Sequence, residues 1–213
     1  MTIDFKEAAR YLGYRNAGPD AAAMKLIEEC ATAVRNEAEP KHICRRFDLE
    51  ITDDGVIRAG GLEMKSRSLE RNLTGCGEVI FFAATLGNGP DMLMNRYSKL
   101  SISKAAVLQA VAAAAIEGYC NECQRNIEEK LAAENIYVRP RFSPGYGDLP
   151  LTLQPDFLRV LNAQKTVGIY LSEGGIMLPE KSVTALMGLS HENSRCHIEG
   201  CEACGKTDCA YRR

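Results

Sequence analysis

A long alanine-rich segment without charged residues, from 105 to 116, constrains the fold of this chain more than any other feature. It predicts one long helix over about 103–135, or two nearly continuous helices. Small side chains at nearly every position let other backbones approach closely, so we expect this to be the central helix. Glu117 follows directly, and a carboxylate at the edge of an uncharged stretch has to be solvated or paired. A surface position and a ligand contact both remain open for it.

Strand-like segments occur on both sides of this helix in the sequence, without regular βαβ alternation. The segment 78–86 contains a continuous apolar run of strand length, which is typical of a strand covered on both faces. Further strands are predicted at 167–171 and 181–189. Strands mixed irregularly with helices indicate an α+β fold rather than a doubly wound sheet.

Local signals predict several smaller elements. Asp4 begins a short first helix, and Gly18-Pro19-Asp20 opens a second. A hairpin is predicted over 42–64, with its turn at Asp53-Asp54-Gly55. We expect Ser68 to cap a short helix, and Pro155 to occupy the first position of a later one.

The length, net charge and distribution of apolar residues exclude several functional classes. At 213 residues the chain fits one large domain or two small ones, and its net charge of -2 gives no electrostatic case for nucleic acid. No apolar run approaches the roughly 20 residues that span a bilayer. The N-terminus lacks the basic and apolar regions of a signal peptide. We therefore expect a cytoplasmic protein that binds neither nucleic acid nor membrane.

Five of the nine cysteines are scattered through apolar or amphipathic segments. In a reducing compartment such cysteines behave as small buried hydrophobic residues, and we predict burial for all five. They are Cys30, Cys44, Cys76, Cys120 and Cys123.

The segment from Val138 to Pro150 combines two arginines, three prolines and two glycines around Tyr146. Prolines fix φ and remove amide donors, whereas glycines permit backbone angles that side chains forbid. The segment is therefore predicted to be a stiff loop carrying cations and a phenol. It suits either the binding of a small polar ligand or a rigid connection between two helices.

Four motifs in the second half of the chain occur in a fixed order and at close spacing. They are Arg141-Phe-Ser-Pro-Gly-Tyr146, Val167-Gly-Ile-Tyr-Leu-Ser-Glu173, Met177-Leu-Pro179 with Ser182-Val183, and Ser190-His191. Together they resemble the activation, or reactivation, domain of cobalamin (vitamin B12)-dependent methionine synthase. The Arg-x-x-x-Gly-Tyr element matches that family's S-adenosylmethionine signature. The resemblance is firm over about 110–191 and looser over the first hundred residues, where it is closer to stand-alone versions of the domain.

The resemblance implies an α+β fold with a mixed or antiparallel sheet and a long central helix, binding S-adenosylmethionine in a surface groove. It also implies a function in trans on a cobalamin-dependent methionine synthase that lacks its own activation domain. There the cobalamin stays on the partner, and a flavodoxin- or ferredoxin-like donor reduces its oxidised cobalt. The methyl group of S-adenosylmethionine then converts the reduced cobalt to methylcobalamin.

Specific ligand contacts follow from the resemblance. Arg141 offers a charged fork for the carboxylate of S-adenosylmethionine, and Glu117 neutralises its ammonium group. Tyr146 lies where the ligand faces the corrin, so it is the catalytic candidate, and its ring can also sit beside the sulfonium. Glu173 suits either a ligand contact or a hydrogen bond that stabilises its loop. The remaining contacts come from the backbone of Phe142, Ser143, Pro144 and Gly145.

Two departures from the family pattern affect this site. Fused members carry an aromatic pair beyond the Ser-His element, where this chain has Cys196 and His197. The family also takes an aspartate from an N-terminal segment, for which Asp4, Asp20 and Asp48 are all possible. The adenosyl side of the pocket is therefore where this chain is expected to differ.

The last part of the chain, 191–213, is predicted to be a separate cysteine-rich tail following a domain over 1–190. Four thiols within so short a stretch favour a metal site. Zinc would make a closed structural site, and an iron–sulfur cluster could relay electrons toward cobalt. Unliganded thiols and disulfides also remain open. The four are Cys196, Cys201, Cys204 and Cys209.

The first hypothesis is thus an S-adenosylmethionine-binding protein that supports reductive remethylation of a partner's cobalamin. Whether the chain turns over by itself as an enzyme is left open. The alternative is a metal- or iron–sulfur-bearing accessory module that docks on another corrinoid protein and transfers electrons. A conventional methyltransferase is disfavoured, because the chain lacks a glycine-rich first βα turn.

Overall fold

The structure is a computed structural model that describes residues 1–14 and 18–192. Its helices, in chain order, are α1 (Phe5–Tyr11), α2 (Ala21–Glu37), α3 (Arg67–Leu73), α4 (Gly89–Leu100), α5 (Ile102–Ala132), α6 (Gln154–Leu161) and α7 (Ala163–Thr166). A single 3-10 turn, Leu151–Leu153, precedes α6. None of the helices in these two ranges is long and apolar enough to cross a membrane.

The strands within the described ranges form three sheets. They are β1 (Lys41–Asp48), β2 (Glu50–Ile51), β3 (Val56–Ala59), β4 (Leu62–Lys65), β5 (Glu78–Thr85), β6 (Tyr137–Val138), β7 (Tyr170–Leu171), β8 (Met177–Leu178) and β9 (Ser182–Ser190). The largest sheet has the order β1-β5-β9-β6, with β6 antiparallel to β9. The others, β2-β3-β4 and β7-β8, are antiparallel throughout. The predicted α+β fold with antiparallel pairing is confirmed.

The chain divides into two compact units. Of the described residues, the first contains those within 1–42, 84–125 and 167–183, and the second contains 43–83, 126–166 and 184–192. The predicted boundary between 1–190 and a separate tail stays a prediction, because the tail beyond residue 192 lies outside the described residues.

The first unit is built from helices whose small residues allow close contact. The predicted long helix is a single continuous one, α5, with Leu108, Val111 and Ala115 completely buried. The end of α2 packs against the start of α4 so closely that a Cβ on Gly89 would lie 1.9 Å from the carbonyl oxygen of Glu37. The close packing of α2 against α4 therefore requires glycine at this position.

Gly118 is a second close contact in this unit, and it lies within α5. A Cβ on this residue would lie 2.0 Å from the carbonyl oxygen of Thr2, so the N-terminal segment contacts the helix backbone at this point. The next residue of that segment, Ile3, is buried. Gly118 directly follows Glu117, which makes this stretch of α5 a packing site for the N-terminal segment.

The core of the second unit centres on Phe81 of β5, which is completely buried. Its ring lies 5.5 Å from the ring of Phe47 and 5.0 Å from that of Phe157 on α6. Tilted and edge-on pairs at such distances are favourable aromatic contacts. The predicted burial of β5 is confirmed, and Pro155 lies in the first turn of α6 as predicted.

Two local predictions differ from the structure. The predicted hairpin turn at Asp53-Asp54-Gly55 is confirmed, because it joins the antiparallel strands β2 and β3, but the predicted first strand is divided between β1, which joins the large sheet, and β2. Its predicted return strand is broken at Gly60 and Gly61, which both adopt positive φ. The cap of α3 is Ser66 rather than Ser68, because the Ser66 side chain accepts the hydrogen bond from the Leu69 amide.

The predicted burial of the scattered cysteines is confirmed for three of them and wrong for two. Cys30, Cys120 and Cys123 are buried, whereas Cys44 is exposed and Cys76 is half-buried. Cys44 lies on β1, which is an edge strand of the large sheet. Most of the side chains of β1 are exposed. The apolar context in the sequence did not reveal this edge position.

Candidate ligand-binding site

The candidate site is the loop that follows β6 in the second unit. Phe142 anchors its start, because its amide donates to the carbonyl of Leu186 in β9 at 2.9 Å and its carbonyl accepts from the Leu186 amide at 2.8 Å. The Phe142 side chain is buried. The loop therefore begins as an extension of the main sheet rather than as a free connection.

A tight turn shapes the centre of the loop. The amide of Tyr146 donates to the carbonyl of Ser143 at 3.0 Å, with Pro144 and Gly145 between them. Gly145 has φ +91°, and a type II turn favours proline followed by a residue with positive φ. A Cβ on Gly145 would have only the Leu151 side chain, at 3.5 Å, in ordinary contact. Gly145 is exposed, so the backbone of the turn is accessible on this side.

Tyr146 is presented to the outside by this turn. Its side chain is 54% exposed, which is high for a large aromatic residue. The ring contacts Phe142 edge-on, with 6.1 Å between the ring centroids. A buried phenylalanine therefore supports an exposed phenol, an arrangement suited to covering a ligand.

The two arginines of the segment have different environments. Arg139 is buried, and its Nη2 donates to the carbonyl of Thr74 at 3.1 Å. Its backbone amide also donates to the carbonyl of Gly188. Arg141 is only partly buried and directly precedes the anchored Phe142. Arg139 therefore has a structural role, and Arg141 remains the candidate for ligand binding.

A feature that the sequence did not reveal holds the end of the loop. The carboxylate of Asp148 accepts hydrogen bonds from Ser66 Oγ at 2.5 Å, from the Arg67 amide at 2.8 Å and from the Ser68 amide at 3.0 Å. These bonds, led by that from Ser66, hold the pKa of Asp148 well below its usual range. Asp148 thus stays ionised at neutral pH and binds the start of α3.

The two predicted glutamates belong to the first unit. Glu117 is partly buried on α5, next to the packing site of the N-terminal segment. Glu173 is exposed in the turn between β7 and β8. Ser172 holds that turn, since its amide donates to the Ile176 carbonyl and its hydroxyl accepts from the Ile176 amide. The contacts that the resemblance implies for both glutamates stay predictions.

Two of the three possible N-terminal aspartates cap helices. Asp4 accepts from the amides of Lys6 and Glu7 at the start of α1, and Asp20 accepts from the amide of Ala23 at the start of α2. Asp48 is the last residue of β1 and belongs to the second unit. Each therefore has its own place in the fold, and the aspartate of the ligand site is not assigned.

The proposed metal ligands and the replaced aromatic pair lie outside the described residues. This holds for Cys196, His197, Cys201, Cys204 and Cys209. Within 1–14 and 18–192, no group of three or more His, Cys, Asp or Glu side chains is arranged to hold a metal ion. The zinc or iron–sulfur site at the tail stays a prediction.

The fold, with its anchored Arg-x-x-x-Gly-Tyr loop, is that of a methionine synthase reactivation domain. A crystal structure described as the MetH reactivation domain bound to AdoHcy is similar to it, with a TM-score of 0.63 and 19% sequence identity. The alignment covers 87% of this chain and 70% of that chain. At this identity the likeness shows the fold.

The sequence itself shows the family. The model of the vitamin B12-dependent methionine synthase activation domain matches residues 79–211, which is more than half of the chain. The chain belongs to this family, and the resemblance stated from its motifs is confirmed. The match begins before the firm region predicted from the motifs and continues into the cysteine-rich tail. No curated protein sequence matches the chain significantly.

Proposed function

We propose that this chain binds S-adenosylmethionine and supports reductive remethylation of the cobalamin of a methionine synthase supplied in trans. The observation that carries the proposal is the loop in which Arg141, the open turn at Gly145 and the exposed Tyr146 follow one another in a member of this family. The similar reactivation domain was solved with AdoHcy, the demethylated form of the same ligand, which supports the ligand class.

Each residue of the loop has a proposed role that suits its environment. Arg141 binds the ligand carboxylate through two parallel N–H donors, because guanidinium and carboxylate are geometrically matched. The backbone of Phe142, Ser143, Pro144 and Gly145 lines the ligand, since the type II turn leaves the side of Gly145 open. The Tyr146 ring covers the sulfonium side, where an aromatic face attracts a cation.

The two glutamates complete the proposed contacts. Glu117 neutralises the ammonium group of the ligand, and Glu173 contributes a further polar contact. Both assignments are supported by the family resemblance rather than by contacts in the described residues.

The chemistry divides between the ligand and its partner. S-adenosylmethionine supplies an activated methyl group when bound, and the cobalamin that accepts it is carried by the partner protein. The residues of this chain bind and orient the methyl donor and keep its sulfonium beside Tyr146. We propose a flavodoxin- or ferredoxin-like protein as the electron donor. The cytoplasmic location expected from the sequence stays a prediction.

The proposal predicts specific binding of S-adenosylmethionine to the native protein. Isothermal titration is expected to give one site, and adenosine is expected not to bind because it lacks the carboxylate that Arg141 recognises. At a hundredfold excess over the dissociation constant, S-adenosylmethionine stabilises the folded protein by about 2.7 kcal/mol, so thermal unfolding provides a second measurement. Absence of both heat and a thermal shift at millimolar ligand would contradict the proposal.

A further inference from the structure

The ligand loop is held at both ends by residues of its own unit. Its start is fixed by the two backbone hydrogen bonds between Phe142 and Leu186. Its end is fixed by Asp148, which contacts the first turn of α3. Only the short stretch 143–147, with its exposed Tyr146, lies between the two attachments. Their positions therefore determine the backbone path of the loop.

The attachment at Asp148 supplies acceptors to the start of α3. The first amides of a helix have no partners within the helix and need acceptors from elsewhere. Here the Arg67 and Ser68 amides donate to the Asp148 carboxylate, and the Leu69 amide donates to Ser66 Oγ. A negative charge at this end of a helix is also favourable. Moving the loop away would remove acceptors from two helix amides at once.

Gly147 allows the loop to approach α3 closely enough for this contact. Its φ is +52°, and a Cβ on it would lie 2.7 Å from Ser68 Oγ and 2.8 Å from Ser68 Cβ. A larger residue at this position would have to push either the loop or Ser68 aside. Gly147 and Asp148 of the loop thus fit closely against Ser66, Arg67 and Ser68 at the start of α3.

Hydrogen bonds inside the loop link this attachment to the residues around the ligand. The Leu149 amide donates to the Tyr146 carbonyl at 3.0 Å, and the Gly145 amide donates to the Leu149 carbonyl at 2.9 Å. Asp148 lies between Tyr146 and Leu149 in the chain, so a shift of its carboxylate changes both bonds. The position of Asp148 is therefore coupled to the turn at Gly145.

We propose that Asp148 is a positioning residue for S-adenosylmethionine binding: held by Ser66, Arg67 and Ser68 at the start of α3, it fixes the backbone of the ligand loop in its binding conformation. This inference rests on the proposed function, since it assigns a role in the same site. Asp148 acts only through the loop and does not itself contact the ligand.

The test compares the affinity for S-adenosylmethionine and the local amide exchange of Asp148→Ala with those of the native protein. If release from α3 leaves the loop in its binding conformation about a tenth of the time, the dissociation constant rises about tenfold. Hydrogen exchange of a peptide covering 141–150 is expected to accelerate, because the Gly145 and Leu149 amides lose their fixed acceptors. Exchange in β5 is expected to stay as in the native protein.

Asp54→Ala is the matched control. Asp54 is another exposed aspartate of the same unit, and its carboxylate accepts a 2.5 Å hydrogen bond from the Thr52 hydroxyl in a turn before β3. This variant is expected to bind S-adenosylmethionine with native affinity and to leave exchange over 141–150 unchanged.

The outcomes separate this inference from the proposed function. If the native protein does not bind S-adenosylmethionine, the proposed function fails. If the native protein binds and Asp148→Ala binds equally well, only the positioning role of Asp148 is overturned. Weaker binding without faster exchange over 141–150 overturns it too, because Asp148 would then act on the ligand directly.

A second variant keeps the test decisive if Asp148→Ala does not fold. Asp148→Asn retains one acceptor oxygen but presents an amide group in place of the other. It is expected to bind S-adenosylmethionine more weakly than the native protein, with faster exchange over 141–150. Native affinity and native exchange in a folded Asp148→Asn protein would overturn the inference.

Discussion

Replacing Arg141 with alanine is expected to weaken S-adenosylmethionine binding by about a hundredfold or more. Hydrogen bonds to charged groups contribute about 1.5–3 kcal/mol each. Losing two parallel hydrogen bonds to the carboxylate therefore corresponds to a loss of at least about a hundredfold in affinity. Arg141 is partly buried next to Phe142, which is attached to β9, so its backbone has a fixed position before the ligand arrives. Isothermal titration measures the change.

Arg159→Ala is the control for this prediction. Arg159 lies on α6 in the same unit, is well exposed and pairs with Asp156 at 2.7 Å. Its replacement removes the same charge from the protein and is expected to leave the affinity within about twofold, since exposed ion pairs contribute little. Arg141→Lys is expected to bind with intermediate affinity, because lysine keeps the positive charge but cannot donate two parallel hydrogen bonds to the carboxylate. An Arg141→Ala protein that binds as well as the native one would exclude Arg141 from the site.

Replacing Gly118 with alanine is expected to destabilise the protein by about 1–3 kcal/mol, the range for overpacking a close contact. Alanine in place of glycine inside a helix normally stabilises by about 1 kcal/mol, so the expected sign is reversed. The reason is the Thr2 carbonyl oxygen, which would lie 2.0 Å from the new Cβ. The new Cβ would meet a backbone carbonyl, so no flexible side chain can move aside to relieve the contact.

Urea unfolding of Gly118→Ala and of Gly77→Ala provides the comparison. A Cβ on Gly77 meets no atom within 4 Å, and its φ is not positive. The Gly77 variant is therefore expected to unfold within about 0.5 kcal/mol of the native protein, as surface substitutions usually do. A stabilised Gly118→Ala protein would mean that the N-terminal segment does not lie against α5.

Local sequence signals predicted the elements that depend on neighbouring residues. The caps at Asp4 and Asp20, the single long helix α5 and the buried strand β5 follow from short-range chemistry and from apolar periodicity. The spacing Arg-x-x-x-Gly-Tyr also separated Arg141 from Arg139, and the burial of Arg139 agrees with that choice.

Features that depend on distant residues could not be predicted in this way. Ser66 and Ser68 are both suitable helix caps by sequence, and the choice of Ser66 depends on Asp148, which lies 82 residues away in the chain. The turn at Gly60 is set by packing, since a Cβ there would meet Val160, Phe81 and Phe47. Tertiary contacts of this kind leave no periodic signal.

The resemblance in the motifs supplied what periodicity could not. It predicted the ligand class and the role of the loop, which remain proposals, and the family match over 79–211 confirms the family. The positions of Glu117 and Glu173 in the ligand site and the ligand set of the tail cysteines remain predictions.

Transfer of a labelled methyl group tests the proposed function most directly. A methionine synthase without its own activation domain, carrying oxidised cobalamin, is incubated with S-adenosylmethionine labelled in the methyl group and with a low-potential reductant. Label is expected to enter the cobalamin only when this chain is present, and the Arg141→Ala protein is expected not to support the transfer. Equal labelling with and without the chain, or no labelling by a chain that binds S-adenosylmethionine, would contradict it.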